Sequence, residues 1–147
     1  MQTFLTDPDA YRSAHNLDSR RLFSQVYEGI HILASNLAVN DLLVNPKRSV
    51  ANHPVARMWA PHPGALLHYC IAHYGVWTTI YGPHPQSINF HNLCMLTGYV
   101  TSDVNMPPEL VARIPYYREL LYSKDPVFYL RWASATITYG LKIGVPV

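Results

Sequence analysis

The sequence predicts a mainly α protein, a compact single-domain helical bundle over residues 1–147 with irregular, proline-rich connections. Apolar residues recur at steps of three and four over residues 17–37, which is the period of a helix. No alternation of strand and helix patterns runs along the chain, which disfavours a parallel sheet. A hydrophobic content of 49% excludes a disordered chain, and a charged content of 14% excludes a coiled coil.

The first predicted helix runs from Leu17 to Leu37. Its apolar residues share one face: Leu22, Val26, Ile30, Leu33 and Leu37. Asp18 stands at its start, where a carboxylate caps the helix or favours its first turn. Residues 38–51 contain Asn-Asp and Asn-Pro pairs that break regular structure, so we expect a loop there.

A second helix is predicted to begin near Pro54 or after Pro63 and to run to about Trp77. Proline is tolerated in the first turn of a helix and not in its interior, so both starting points are allowed. Residues 78–92 are interrupted by Gly-Pro and a further proline. The apolar segment 91–100 suits either a helix or a strand.

The last third of the chain is predicted to hold shorter helices. A Pro-Pro pair opens one over residues 109–113, Pro115 stops it, and a helix resumes over residues 116–122. Residues 127–138 are apolar and aromatic, and we expect them to be helical. The tail after Gly140 is expected to be extended or frayed.

Composition also limits the cellular setting. The net charge of +2 neither indicates nor excludes a nucleic-acid partner. The N-terminus lacks the basic and apolar regions of a signal peptide, and polar residues break every apolar stretch before it reaches bilayer length. We therefore expect a cytoplasmic protein with no membrane partner. Its two cysteines, Cys70 and Cys94, are expected to be free thiols.

The histidines and cysteines do not have the spacing of a metal site. His62, Cys70 and His73 share one helical face and are of types that zinc accepts, but no close C-x-x-C or H-x-x-x-H pair begins a site. The chain also lacks a glycine-rich phosphate loop and the G-x-S-x-G and H-E-x-x-H motifs. We expect no metal, no cofactor and no hydrolase nucleophile inside the chain.

A polar row accompanies the first helix. At about 100° per residue, Arg21, Gln25 and Glu28 fall on one face, away from the apolar stripe, with Arg20 beside them. One interpretation is a solvated helix face. The other is an active-site row in which Glu28 serves as acid or base, the amide orients it and the arginines hold an anion.

Residues 52–59 combine an amide, an imidazole, a guanidinium and an indole. Asn52, His53, Arg57 and Trp59 have the chemistry to bind a phosphate and stack on a base. The structural alternative is a helix start with an Asn cap and with the guanidinium laid over the indole.

Aromatic and basic residues interleave in the C-terminal part of the chain. They are Arg113, Tyr116, Tyr117, Arg118, Tyr122, Lys124, Tyr129, Arg131 and Trp132. Aromatic faces stack on bases and cations neutralise phosphates, so this pattern suits DNA or a nucleotide. The alternative is an aromatic core with a few surface charges.

Four blocks in this order resemble a known family. They are residues 1–5 (M-Q-T-F-L), residues 17–22 with Gln25 and Glu28, residues 52–59 and, more weakly, residues 118–126 with Tyr129. The chain resembles the pyrimidine-dimer DNA glycosylases of phages and bacteria, the endonuclease V type. Within that family it is similar to a branch of small proteins that begin M-Q-T-F-L.

The resemblance implies a compact helical domain that binds duplex DNA. In the family's characterised members the chain's own α-amine attacks C1′ of the sugar, a Schiff base forms, the base leaves and a β-elimination nicks the strand. Those enzymes expose a Thr amine after Met removal, whereas Gln2 follows Met1 here and favours retention of Met1. The residues implied as catalytic are Met1, Gln2 and Glu28. The residues implied in binding substrate or DNA are Thr3, Arg20, Arg21, Gln25, Asn52, His53, Arg57, Trp59, Tyr117, Arg118 and Lys124.

Two further hypotheses remain open at this point. The first is an inactive member of the fold that binds DNA, a nucleotide or a small nucleotide signal. Its pocket would consist of Arg21, Glu28, His53, Arg57 and Trp59. The second is a phage or bacterial accessory protein whose aromatic surface contacts another protein, because the sequence contains 11 Tyr and 3 Trp.

Overall fold

The computed structural model describes residues 2–95 and 104–133, and within these ranges it contains helices and no strand. The prediction of a mainly α protein is therefore confirmed. The α-helices are α1 Ala10–His15, α2 Ser19–Asn36, α3 Pro54–Trp59, α4 Pro63–Tyr81, α5 Ser87–Cys94, α6 Pro108–Val111 and α7 Ile114–Lys124. Short 3₁₀ helices occupy Asn40–Leu42, Arg48–Asn52 and Leu130–Trp132.

Helices α2 and α4 form the centre of the fold and share its most extensive helix–helix contact. They approach closely at Gly29, where a Cβ atom would lie 2.9 Å from Sγ of Cys70. The apolar stripe of α2 is buried from Leu22 to Leu33. One hydrophobic cluster of described residues extends from Phe4 at the N-terminus to Trp132, so both ends of the described chain belong to the same core.

The long first helix was predicted to within two residues at either end. The second predicted helix is two helices, one at each proposed start: Pro54 opens α3 and Pro63 opens α4, which ends at Tyr81 and not near Trp77. The break expected between two short helices is present at residues 112–113, before Pro115. This proline lies in the first turn of α7, where its missing N–H costs no helical bond. The predicted loop 38–51 includes 3₁₀ turns, and α1 was not predicted.

Some predicted segments lie only partly within the residues that the structure describes. The start of the apolar segment 91–100 belongs to α5, so this part is helical, while residues 96–103 lie outside the described residues. Of the helix expected over 127–138, the described residues 127–133 contain a 3₁₀ turn over Leu130–Trp132. Residues 134–147, with the tail after Gly140, lie outside the described residues. Cys70 and Cys94 are free thiols, as expected. No helix in the described ranges is long and apolar enough to cross a membrane.

The N-terminal segment 2–6 is not helical and runs through the interior beside α2. The side-chain amide of Gln25 binds its backbone at two points: Nε2 donates to the carbonyl of Gln2 at 2.8 Å, and Oε1 accepts from the N–H of Phe4 at 3.1 Å. The hydroxyl of Tyr69 on α4 donates to the carbonyl of Phe4 at 2.9 Å and also contacts Oε1 of Gln25. We call this arrangement the Gln25 clamp.

Replacing Gln25 by Leu tests the clamp. The change removes both bonds from the side-chain amide to the backbone and leaves the half-buried Gln2 carbonyl without this donor, so the free energy of unfolding should fall by about 2–3 kcal/mol. Urea unfolding monitored by circular dichroism measures it. Ser24→Ala, at the half-buried neighbouring position, should change it by less than about 0.5 kcal/mol. Equal stability of Gln25→Leu and the wild type would contradict the clamp.

Burial also makes stability depend on pH through His73. Its ring is fully buried, Nδ1 lies 2.7 Å from the carbonyl of Tyr69, and burial lowers its pKa to about 4 from the usual 6.5. The unfolded chain binds a proton below pH 6.5 while the folded chain does not. Stability is therefore complete above pH 6.5 and falls as the pH drops towards 4, by up to about 3 kcal/mol from this group.

His73→Asn keeps a polar group near Nδ1 and removes the titration. We expect it to lower stability at neutral pH and to flatten the acid side of the stability profile, measured by denaturant unfolding between pH 7.5 and 4.5. Burial also lowers the pKa of His31 and of His84, so part of the slope should persist. The exposed His91→Asn is the control. An unchanged slope in His73→Asn would refute this assignment.

Candidate active site

A pocket of about 330 Å³ opens where the N-terminal segment meets α2. Two of its lining residues, Gln2 and Phe4, belong to the segment that the Gln25 clamp holds. Its lining combines acidic, basic and amide groups: Gln2, Phe4, Arg20, Arg21, Ser24, Gln25, Glu28 and Lys124. We call it the α2 pocket. It unites the polar row of the first helix with Gln2 and Lys124, which are distant from that row in sequence.

Glu28 is the acidic group of the pocket. Its Oε2 accepts a hydrogen bond from the backbone N–H of Gln2 at 3.0 Å. Burial raises the pKa of the Glu28 carboxyl, and this effect outweighs the Gln2 hydrogen bond and the positive charge of Lys47, which lower it. The carboxyl therefore exchanges its proton at a higher pH than an exposed glutamate, which suits acid–base chemistry.

Gln25 has a structural position that the helical pattern did not reveal. Only 1% of its surface is exposed, because the N-terminal segment covers it. The residues of the polar row therefore differ in exposure: Gln25 is buried, whereas Arg21 and Glu28 are partly exposed. Gln25 instead fixes the backbone at Gln2, and Gln2 carries the N–H that Glu28 binds.

The cationic side of the pocket comes from two parts of the chain. Arg20 is exposed, and Lys124 is exposed at the end of α7. Arg21 is more enclosed, with 19% of its side chain exposed, and its Nη1 donates to Oδ2 of Asp18 at 3.2 Å. Three cations around one hollow favour an anionic ligand such as the phosphates of a nucleic acid.

Three residues expected to contact DNA lie in the protein interior instead. Trp59 and Thr3 are fully buried and bind each other, with the indole Nε1 donating to Oγ1 of Thr3 at 3.0 Å. Tyr117 is buried edge-on against Phe4, with ring centroids 6.2 Å apart. These side chains complete the core around the N-terminal segment, so none of them presents a face to a base.

The other predicted residues that the structure describes are not part of the lining of the α2 pocket. His53 caps α3, its Nδ1 accepting from the N–H of Val55 at 3.2 Å. Arg57 is exposed and donates to the carbonyl of Asn52 at 2.9 Å, rather than to a group in the pocket. Arg118 donates to the carbonyl of Thr6 at 2.9 Å. Of the five residues in the alternative hypothesis, Arg21 and Glu28 line the α2 pocket, while Trp59 is fully buried.

Sequence reasoning missed two residues of the lining. Ser24 lies between the arginines and Glu28 on the polar side of α2, so the same helical spacing that selected its neighbours identifies it. Phe4 carried no such signal, because its place depends on the path of the N-terminal segment. The described residues contain no group of three or more His, Cys, Asp or Glu side chains placed to hold a metal ion.

Comparison with known proteins identifies the family to which the chain belongs. The family model described as pyrimidine dimer DNA glycosylase matches residues 1–89, more than half of the chain. The match contains every residue of the pocket lining except Lys124. No curated protein and no solved structure matches the chain. The chain belongs to the pyrimidine dimer DNA glycosylase family, and this membership supports a DNA glycosylase type of function with DNA as the substrate.

Proposed function

We propose that this protein is a glycosylase and abasic-site lyase that acts on damaged pyrimidines through a Schiff base with its N-terminal α-amine, with Glu28 as the acid–base group. The observation that carries the proposal is the hydrogen bond from the Gln2 backbone to the Glu28 carboxylate inside a cationic pocket. Family membership supplies the class of chemistry. The pocket supplies the groups that this chemistry needs.

The nucleophile is the α-amine of Met1, which lies outside the described residues. Covalent geometry alone keeps this nitrogen within about 4 Å of the nitrogen of Gln2, whatever the conformation of Met1. Since the N–H of Gln2 binds Glu28, the proposal has the amine and this carboxylate act on the same sugar. An α-amine has a pKa of about 7.7–8.0, so a useful fraction is neutral and nucleophilic near pH 7.

The steps balance without a cofactor. The amine nitrogen attacks C1′ of the damaged nucleotide, and the base leaves with the electron pair of the glycosidic bond and a proton. Opening of the sugar ring forms the imine at C1′. Loss of a proton from C2′ breaks the C3′–O bond and expels the phosphate, and water then hydrolyses the imine. Glu28, with its raised pKa, donates and accepts the protons.

The cations hold the strand in this reaction. Arg20, Arg21 and Lys124 neutralise phosphates beside the reacting sugar, a contact that is independent of base sequence. Asn52, His53 and Arg57 contact the flanking duplex in this proposal. Because Lys124 reaches the pocket from α7, beyond the matched residues 1–89, we treat residues 1–147 as a single glycosylase-like domain.

Borohydride trapping on a duplex with one abasic site tests the amine and Glu28. The wild type should form a covalent adduct, and an N-terminally acetylated chain should form none. Glu28→Gln keeps an acceptor for the Gln2 N–H but cannot exchange a proton, so the rate of strand nicking should fall by about 10²–10⁴-fold. Glu119→Gln, outside the pocket, is the matched control and should react like the wild type.

The trapping experiment has two outcomes against the proposal. An acetylated chain that nicks the abasic strand at the wild-type rate would rule out the α-amine. A folded wild type that binds DNA and forms no adduct would favour the inactive, DNA-binding member of the fold.

Charge removal in the pocket tests phosphate contact. Lys124→Gln should weaken binding to duplexes of different sequence by a similar factor and reduce the slope of log K against log salt by about 1. Fluorescence anisotropy over a salt series measures both. Arg12→Gln removes one charge from an exposed position on α1, outside the pocket, and should leave both the affinity and the salt slope close to the wild-type values. An unchanged salt slope for Lys124→Gln would contradict its phosphate contact.

A further inference from the structure

We propose that Tyr129 is a positioning residue that sets the geometry of Arg21 through Asp18, and so prepares the α2 pocket for a DNA phosphate. This inference rests on the proposed function, because it assigns the phosphate contact to Arg21. It adds a residue from the C-terminal part of the chain, beyond the part that the family model matches. Tyr129 touches no substrate and acts through two other side chains.

The first observation concerns the start of α2. Asp18 occupies the N-cap position, yet its side chain accepts no hydrogen bond from the first turn of the helix. One carboxylate oxygen, Oδ1, accepts from the hydroxyl of Tyr129, and the other, Oδ2, accepts from Nη1 of Arg21 at 3.2 Å. The carboxylate thus forgoes the usual capping bond and connects a tyrosine to an arginine.

The second observation is that Asp18 and Tyr129 bind each other twice. The backbone N–H of Asp18 donates to the Tyr129 hydroxyl at 2.9 Å while that hydroxyl donates to the Asp18 carboxylate. A donor and an acceptor in the same pair fix the direction of both bonds. The carboxylate therefore has one orientation, and its second oxygen points to Arg21.

The third observation is the rigidity of the tyrosine. Its side chain is fully buried, and its ring stacks on Trp132 with centroids 5.2 Å apart and an interplanar angle of 9°. The guanidinium of Arg131 lies 4.7 Å from the centre of the indole ring, and that of Arg118 lies 5.7 Å away. Burial raises the pKa of the Tyr129 phenol, so it stays a neutral donor.

These contacts preorganise the Arg21 side chain to bind a phosphate. A guanidinium has five N–H donors in one plane, and a bond from Nη1 to Asp18 leaves donors free to face the pocket. An arginine already held in place loses less conformational entropy on binding than a freely rotating one. We therefore expect loss of the Tyr129 hydroxyl to weaken DNA binding more than it slows the chemical step.

A double-mutant cycle tests the inference on the full-length chain. The four proteins are the wild type, Tyr129→Phe, Arg21→Gln and the double variant, and the probe is a short duplex with a non-reactive abasic analogue. Tyr129→Phe should weaken binding by about tenfold and lower the salt slope towards that of Arg21→Gln. In the Arg21→Gln background it should add less than about twofold. Tyr116→Phe, at an exposed position on α7, is the control and should change nothing.

A purely structural role for Tyr129 predicts different readouts. Tyr129→Phe would then weaken binding by the same factor in both backgrounds and leave the salt slope unchanged, and this result would overturn the inference. Wild-type affinity in Arg21→Gln would overturn it as well. The single-turnover nicking rate at saturating reactive abasic DNA should stay within about twofold of the wild type, because only binding is prepared. A much lower rate with unchanged affinity would also contradict it.

The cycle separates this inference from the proposed function. Borohydride trapping with the wild type reports the Schiff base and does not involve Tyr129. An intact adduct with no coupling between Tyr129 and Arg21 would reject the positioning role alone. A wild-type chain that binds no duplex would reject both.

Discussion

The hydrogen bonds of one buried amide, Gln25, organise the functional end of the molecule. Its side chain donates one hydrogen bond to the backbone of the N-terminal segment and accepts another from it. These bonds hold the non-helical segment beside helix α2. A buried amide left without partners is costly, so the segment and the helix stabilise each other. This pairing fixes the backbone at Gln2, and so helps to place the N–H that binds Glu28.

Helix α2 serves both the core and the pocket because its two sides face different surroundings. Its apolar stripe packs towards α4, which approaches closely enough at Gly29 that a larger residue would meet Cys70. Its polar side begins at Asp18 and ends at Glu28, and it carries the arginines between them. Glu28 is partly desolvated beside several cations, and desolvation prevails, which keeps its pKa above the usual value.

The C-terminal part of the described chain contributes two residues to the α2 pocket or to its support. Lys124 extends to the pocket directly, and Tyr129 binds the carboxylate that holds Arg21. The family model ends at residue 89, so these contributions depend on packing between distant parts of the chain. The aromatic residues of this part serve largely as core, as the structural alternative expected: Tyr117, Tyr129 and Trp132 are all buried.

The sequence by itself determined the helical class, the position of α2 and the grouping of Arg21 with Glu28, because these follow from local periodicity and helical spacing. Only the tertiary structure decided which polar and aromatic residues are accessible. Trp59 and Thr3 look like ligands in sequence but satisfy each other's hydrogen bonds in the core. Gln25 looks solvated on a helical wheel but is covered by residues more than 20 positions away. Burial and long-range hydrogen bonding depend on how segments pack together, and a local pattern contains no information about that packing.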